Sequence, residues 1–391
     1  MSPTELRASV ALSAVFALRL FGMFVILPVF ALWAEGRPAW NLTLVGLALG
    51  AYGLVQGTLQ IPFGMLSDRW GRKPVIYAGL AIMAGGSFLC AVAESPWVLI
   101  LGRALQGAGA ISGTVIALAA DLTRDSQRTK VMAIIGSTIG AMFGLSFVLG
   151  PFLSQSIGIP GIFALTGALC LGAIAVVRFA VPDVPAVLRA APAASFRGVL
   201  REPELARLNV GIFALHAVLM ALFVVVPVSL TRAGLPAAEH WWVYLSTVAA
   251  GFVLMLPGVV GPAAMRDRPV FLASIGAIGA SLVVLAATHH TVAGIAGALV
   301  IFFAGFNVLE AKLPALVSRA APRGARGAAT GVYSSVQFLG TFAGAAAGGA
   351  LAQHAGPLAV LAGCLAVVAA WFAVAWSMGA LIATPPRAAG N

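Results

Sequence analysis

The chain has 391 residues, 61% of them hydrophobic and 9% charged, with a mean hydropathy of +1.01 and a formal net charge of +11. This composition excludes an ordinary soluble globular domain, and in a membrane protein the positive charge is explained by anionic lipid and by orientation in the bilayer, with no nucleic acid partner. The three cysteines, Cys90, Cys170 and Cys364, fall in apolar runs without metal-ligand spacing, so neither a disulfide nor a metal or cofactor site is expected.

Apolar runs long enough to cross a bilayer, about 20 residues each, fall at roughly 9–35, 41–66, 74–93, 97–120, 130–155, 160–180, 207–231, 241–264, 269–288, 291–318, 328–352 and 357–381. They predict an all-helical integral membrane protein of twelve spans. The first run follows Glu5 and Arg7, contains Arg19 and ends without a small-residue cleavage site, so it reads as a span and not as a removable signal. Every connection is short except 181–206, which carries Pro182, Pro185, Pro192 and several charged residues. The expected domains are a six-helix bundle over 1–180, a cytoplasmic linker over 181–206 and a second six-helix bundle over 207–391, related as an internal repeat.

Between spans two and three lies Gly64-Met65-Leu66-Ser67-Asp68-Arg69-Trp70-Gly71-Arg72-Lys73-Pro74. Charges in hydrocarbon cost several kcal/mol each, so this loop belongs at a membrane surface. Gly64 is expected to let the end of span two approach a neighbour, Gly71 to permit a left-handed turn, and Pro74 to start the next helix. Asp68 is held among cations and near helix ends, where a carboxylate can dock on a helix N-terminus. With the N-terminus inside, 18 of the 23 basic residues fall on the inner side, Arg189, Arg266, Arg323 and Arg387 among them, and only Arg37 and Arg232 fall outside. That bias predicts both termini in the cytoplasm of a bacterial-type plasma membrane.

Spans five and eleven are glycine-rich, with Gly136, Gly140, Gly144 and Gly150-Pro151 in one and Gly331, Gly340, Gly344, Gly348 and Gly349 in the other, a spacing that allows close helix packing. Four ionisable residues lie deep in spans: Arg19 in span one, Arg103 in span four, His216 in span seven and Glu310 in span ten. These spans open the four three-helix units of an inverted-repeat transporter, where they line a central cavity. Arg19 and Arg103 can equally be held structurally, by backbone carbonyls or by amides such as Gln106, and His216 can be a satisfied interior residue. Lys312 is placed to snorkel toward the inner surface. Glu310 is the only acid deep within a span, since Asp121 sits at the inner end of span four near Arg124. A carboxylate whose access to water changes can load and release a proton. Lys312 stands two residues from Glu310 and so on a different helix face, which argues against a static pair between them.

The 64–74 loop resembles the signature of the major facilitator superfamily between its second and third spans. Arg103-Ala104-Leu105-Gln106-Gly107 resembles that family's proton-transfer motif, and Gly136 to Pro151 resembles its span-five antiporter motif, although only Gly150-Pro151 matches sharply. At finer grain the likeness is to the twelve-span drug:proton antiporters, through Arg19-Leu20-Phe21-Gly22-Met23-Phe24, Asp121-Leu122-Thr123-Arg124 and Gly331-Val332-Tyr333-Ser334. The resemblance implies two pseudo-symmetric six-helix bundles and a conformational latch built from Gly64, Asp68, Arg72 and Asp121, with Asp68 facing the start of span eleven near Gly327. The sequence ends about ten residues after span twelve, so the role of a soluble C-terminal domain found in this group is not carried over.

The expected function is proton-coupled efflux of amphipathic small molecules by alternating access, by a monomer in the lipid bilayer, with Glu310, His216, Arg103 and Arg19 as proton-coupling and cavity residues. A proton symporter importing a sugar or other small metabolite is the alternative, and it would want a cavity rich in Asn, Gln and Asp. A membrane enzyme would need clustered His, carboxylate or Cys ligands, which the sequence does not offer: His289 and His290 stand alone on an outer loop.

Overall fold

The computed structural model describes residues 1–183, 196–260, 267–322 and 325–378. Pro185, Arg189 and Pro192 of the expected linker, and Arg266, Arg323 and Arg387, lie outside the described residues. Among the described residues, twelve helices are long and apolar enough to span a membrane. Spans one to six are Pro3–Phe24, Leu42–Trp70, Arg72–Ala91, Pro96–Asp121, Lys130–Ser156 and Gly158–Ala180. Spans seven to twelve are Pro203–Arg232, Ala237–Val259, Asp267–Thr288, Val292–Ala320, Arg326–Ala355 and Pro357–Trp376.

Most residues fall into two compact units, Met1–Ala193 and Ala194–Asn391. In the first, span one packs on five and six, span two on four, and span three on four and six. In the second, span seven packs on eleven and twelve, span eight on ten, and span nine on ten and twelve. Adding six to each number of the first set gives the second, which is the internal repeat in packing terms. The core of the first unit is built from Leu12, Val15, Ile76, Leu80, Ile111 and Val131, each no more than 1% exposed.

Span one differs from its expected 9–35 course. A capping box between Ser2 and Glu5, with Pro3 at the first helical position, starts the helix at Pro3. The helix stops at Phe24, residues 25–29 form a turn containing Pro28, and a short helix Phe30–Glu35 follows. Glu5, expected outside the span, is therefore within its first turn and 7% exposed. Span four is also interrupted, between a helix ending at Ala108 and one starting at Ser112. Gly71 has φ +95, the left-handed turn that lets Leu42–Trp70 end and Arg72–Ala91 begin.

The expected close packing of the glycines is found mostly in span eleven. Cβ atoms at Gly340, Gly344 and Gly348 would strike the span-seven backbone at Phe213, Ala217 and Ala221. In span five, Gly150 meets the Val25 carbonyl at the break in span one, but a Cβ at Gly136 or Gly144 would meet nothing within 4 Å. Gly331 and Gly64 likewise face open space, so the close approach expected at Gly64 is not made.

Candidate polar sites within the two helical units

In the first unit both buried arginines are held by neutral acceptors, with Arg19 Nε buried without a hydrogen-bond partner. Arg19, 1% exposed, donates from Nη1 to Ser112 Oγ at 2.5 Å and from Nη2 to the Tyr52 hydroxyl at 2.9 Å and to Gln56 Oε1. The break in span four places Ser112 at the start of the second half-helix, beside this guanidinium. Arg103, 2% exposed, donates to Gln106 Oε1 at 2.6 Å and to the Ala48 carbonyl at 3.3 Å, while its guanidinium lies 5.0 Å from the Tyr52 ring centroid. Gln106 passes the chain on to Ser87 Oγ at 2.7 Å. Sequence reasoning foresaw Gln106 but missed Tyr52, Gln56 and Ser112. Hydrogen bonds to a charged group contribute about 1.5–3 kcal/mol each, which offsets much of the cost of burying each cation.

In the second unit Glu310 and His216 are brought together by a residue that sequence reasoning passed over. Gln337 Nε2 of span eleven lies 2.8 Å from His216 Nε2 and 3.4 Å from Glu310 Oε1. Glu310 Oε2 stands 4.0 Å from His216 Nε2 and is buried without a hydrogen-bond partner. His216 Nδ1 faces its own helix at the Ile212 carbonyl, 3.3 Å away, and its ring is 5.9 Å from that of Phe306. Glu310 is ten residues from Ala320, about 15 Å at about 1.5 Å per residue. Lys312 turns away from it and binds Asp267 Oδ1 of span nine at 2.7 Å, and Arg319 binds Oδ2 of the same carboxylate at 2.6 Å.

At the loop between spans two and three, Arg72 is the hub. It donates to Asp68 Oδ1 at 2.5 Å, to Ser67 Oγ at 2.7 Å and to Asp121 Oδ2 at 3.1 Å. Ser67 in turn donates to the Gly64 carbonyl at 2.7 Å, so Gly64 joins the cluster through its backbone. Asp121 was expected near Arg124, but Arg124 instead grips Glu5 with contacts of 2.9 and 3.1 Å. Lys73 reaches past span six to Asp183 at 2.6 Å, and its ammonium holds that carboxyl below the ordinary carboxylate range.

The family model described as Major Facilitator Superfamily matches residues 12–345. The chain is 43% identical over 354 residues to the inner membrane transport protein YajR of Escherichia coli (strain K12), covering 89% of this chain and 78% of that protein. It is 37% identical over 134 residues to the multidrug resistance protein MdtH of Yersinia enterocolitica, covering 32% of this chain and 33% of that protein. Among solved structures, a bacterial homologue of the human lysosomal transporter Spinster superposes with a TM-score of 0.75 at 14% identity, over 99% of this chain and 100% of that one.

Proposed function

Because the chain belongs to the Major Facilitator Superfamily, a family of membrane transporters and not of enzymes, we propose that it is a proton-coupled exporter of amphipathic small molecules that works by alternating access. The observation that carries this reading is Glu310. It is a carboxylate far inside span ten, turned away from Lys312, with one oxygen held by Gln337 and the other without a partner. A static ion pair would spend both oxygens on cations, as Asp267 does. A carboxyl with an uncommitted oxygen can take up and release a proton as its exposure to water changes. One proton crossing about 100 mV is worth roughly 2.3 kcal/mol, enough for a gradient of about fifty-fold.

His216, Arg103 and Arg19 serve in this reading as polar anchors beside the transport path. Gly64, Asp68, Arg72 and Asp121 form the latch that favours one of the alternating states. Gly150-Pro151, seated on the break in span one, supplies the antiporter-type element. Both termini lie in the cytoplasm, and the working form is a monomer in the inner membrane. Efflux of drugs is favoured over sugar import by the name of the partial relative MdtH and by the scarcity of acidic side chains deep in the spans.

The test is proton flux in proteoliposomes on addition of a panel of amphipathic compounds. Glu310→Gln changes little volume and removes the ionisable group, so it should abolish substrate-induced proton flux and leave part of the binding. Proton flux in the variant equal to that of the parent overturns the reading.

A further inference from the structure

We propose that Gln337 is a positioning residue that holds His216 in its neutral, Nδ1–H tautomer, so that the single proton of the coupling step is carried by Glu310 and not by His216. The inference rests on the reading of Glu310 as the coupling carboxylate and goes beyond it by assigning the roles of its two neighbours.

The Gln337 nitrogen has two hydrogens and no acceptor capacity, and its two near neighbours are Glu310 Oε1 at 3.4 Å and His216 Nε2 at 2.8 Å. Turning the amide over would set its oxygen against the carboxylate oxygen, acceptor against acceptor. Glu310 therefore fixes which way the amide points. With the NH2 facing it, His216 Nε2 must accept, so the ring hydrogen sits on Nδ1. There the Ile212 carbonyl, 3.3 Å away, is its acceptor. The contacts on the two sides of the ring require the same tautomer.

Protonation then has unequal consequences at the two groups. A proton on Glu310 Oε2, the oxygen without a partner, leaves Oε1 still accepting from Gln337, and nothing rearranges. A proton on His216 Nε2 would set an N–H against the amide NH2 at 2.8 Å, and the amide would have to turn its oxygen toward Glu310 to relieve it.

The contact is also held rigidly. Gln337 lies one turn before Gly340, and His216 lies between Phe213 and Ala217, the residues whose backbones Gly340 and Gly344 touch. Among the described residues, three further titratable groups, Tyr333, Lys312 and Arg319, stand on the elements around this pair. Tyr333, one turn before Gln337 on span eleven, has its hydroxyl buried without a hydrogen-bond partner, while Lys312 of span ten and Arg319 are both held by Asp267 of span nine.

The experiment is nitrogen NMR of the full chain labelled at its histidines, with the His216 signals identified by their loss in His216→Asn. Between about pH 5 and about pH 8, the range in which an ordinary imidazole titrates, the parent should show the neutral Nδ1–H pattern throughout. Gln337→Leu should show imidazolium at the acid end, and Gln337→Glu, which offers His216 an acceptor, should show it already near neutrality. An Nε2–H pattern or imidazolium in the parent overturns the proposal, as do His216 signals identical in parent and both variants. The parent spectrum decides the tautomer even if a variant fails to fold. If Glu310→Gln keeps its proton flux while His216 behaves as expected, the coupling reading fails and the tautomer assignment stands.

Discussion

Gly344 of span eleven lies against the carbonyl of Ala217 of span seven so closely that there is no room for a Cβ between them. The neighbour is backbone and not the end of a flexible side chain, so a methyl group must push the two helices apart. Overpacking of this kind costs about 1–3 kcal/mol. The displacement would also part His216 from Gln337, which face each other along the same seam. Gly344→Ala is expected to lower the unfolding midpoint in detergent and to reduce substrate-induced proton flux. Gly136→Ala, where a Cβ meets nothing within 4 Å, should leave both unchanged. Equal effects in the two variants would mean that the seam has no special role.

Arg103 and Arg7 separate position from charge. Arg103 is buried and tied to Gln106, the Ala48 carbonyl and the Tyr52 face. Arg7 is at the surface and reaches only the Phe179 carbonyl. Losing one charge-assisted hydrogen bond and leaving its buried acceptor unsatisfied costs at least about 1.4 kcal/mol, or about tenfold. Arg103→Ala should therefore reduce transport by about tenfold or more, against less than about twofold for Arg7→Ala, measured at matched protein levels. Equal losses would show that positive charge, wherever placed, is what matters.

Arg72 should affect turnover far more than stability. Asp68 is 62% exposed at its side chain, and ion pairs so placed contribute about 0.2–1 kcal/mol. Arg72→Gln is thus expected to leave the unfolding midpoint within a degree or two of the parent's. The same small energy, applied to one of two nearly balanced states, shifts their ratio by up to about fivefold. Transport rate and the accessibility of a cysteine placed at the end of span two are the readouts. A large loss of stability with unchanged turnover of the surviving protein would assign the cluster to folding and not to a latch.

What could be read from the sequence followed from burial and from spacing along the chain. Twelve spans, the turn at Gly71 and the isolation of Glu310 all follow from where apolar and charged residues fall. The contacts that were missed join residues far apart in the chain. Glu5 and Arg124 are 119 residues apart, yet the Ser2-to-Glu5 capping box was a legible sign that span one starts early enough to place Glu5 there. Gln337 was overlooked because it stands in a glycine-rich helix that reads as packing. Its sign was an amide three residues before Gly340, one turn from the first glycine of the close-packing stripe. Asp267 was hidden among Arg266 and Arg268, because a count of basic residues says nothing about the acid between them.

Asp267 should be the costliest of the surface-proximal acids to remove. Its carboxylate is 15% exposed and is shared by Lys312, 11% exposed, and Arg319, 38% exposed. Breaking a buried pair from one side leaves a poorly solvated cation, at a cost of about 3 kcal/mol or more, whereas replacing both partners by apolar groups is often near neutral. Asp267→Leu alone is expected to lower the unfolding midpoint strongly. Asp267→Leu combined with Lys312→Met should recover most of that loss, because Arg319 is exposed enough to find water. Asp68→Asn, at a carboxylate open to solvent, should cost little by comparison. The double variant decides the matter. If it is as unstable as Asp267→Leu alone, the stranded Lys312 charge is not the cause, and Asp267 stabilises span nine in another way, such as through the helix dipole at its first residue.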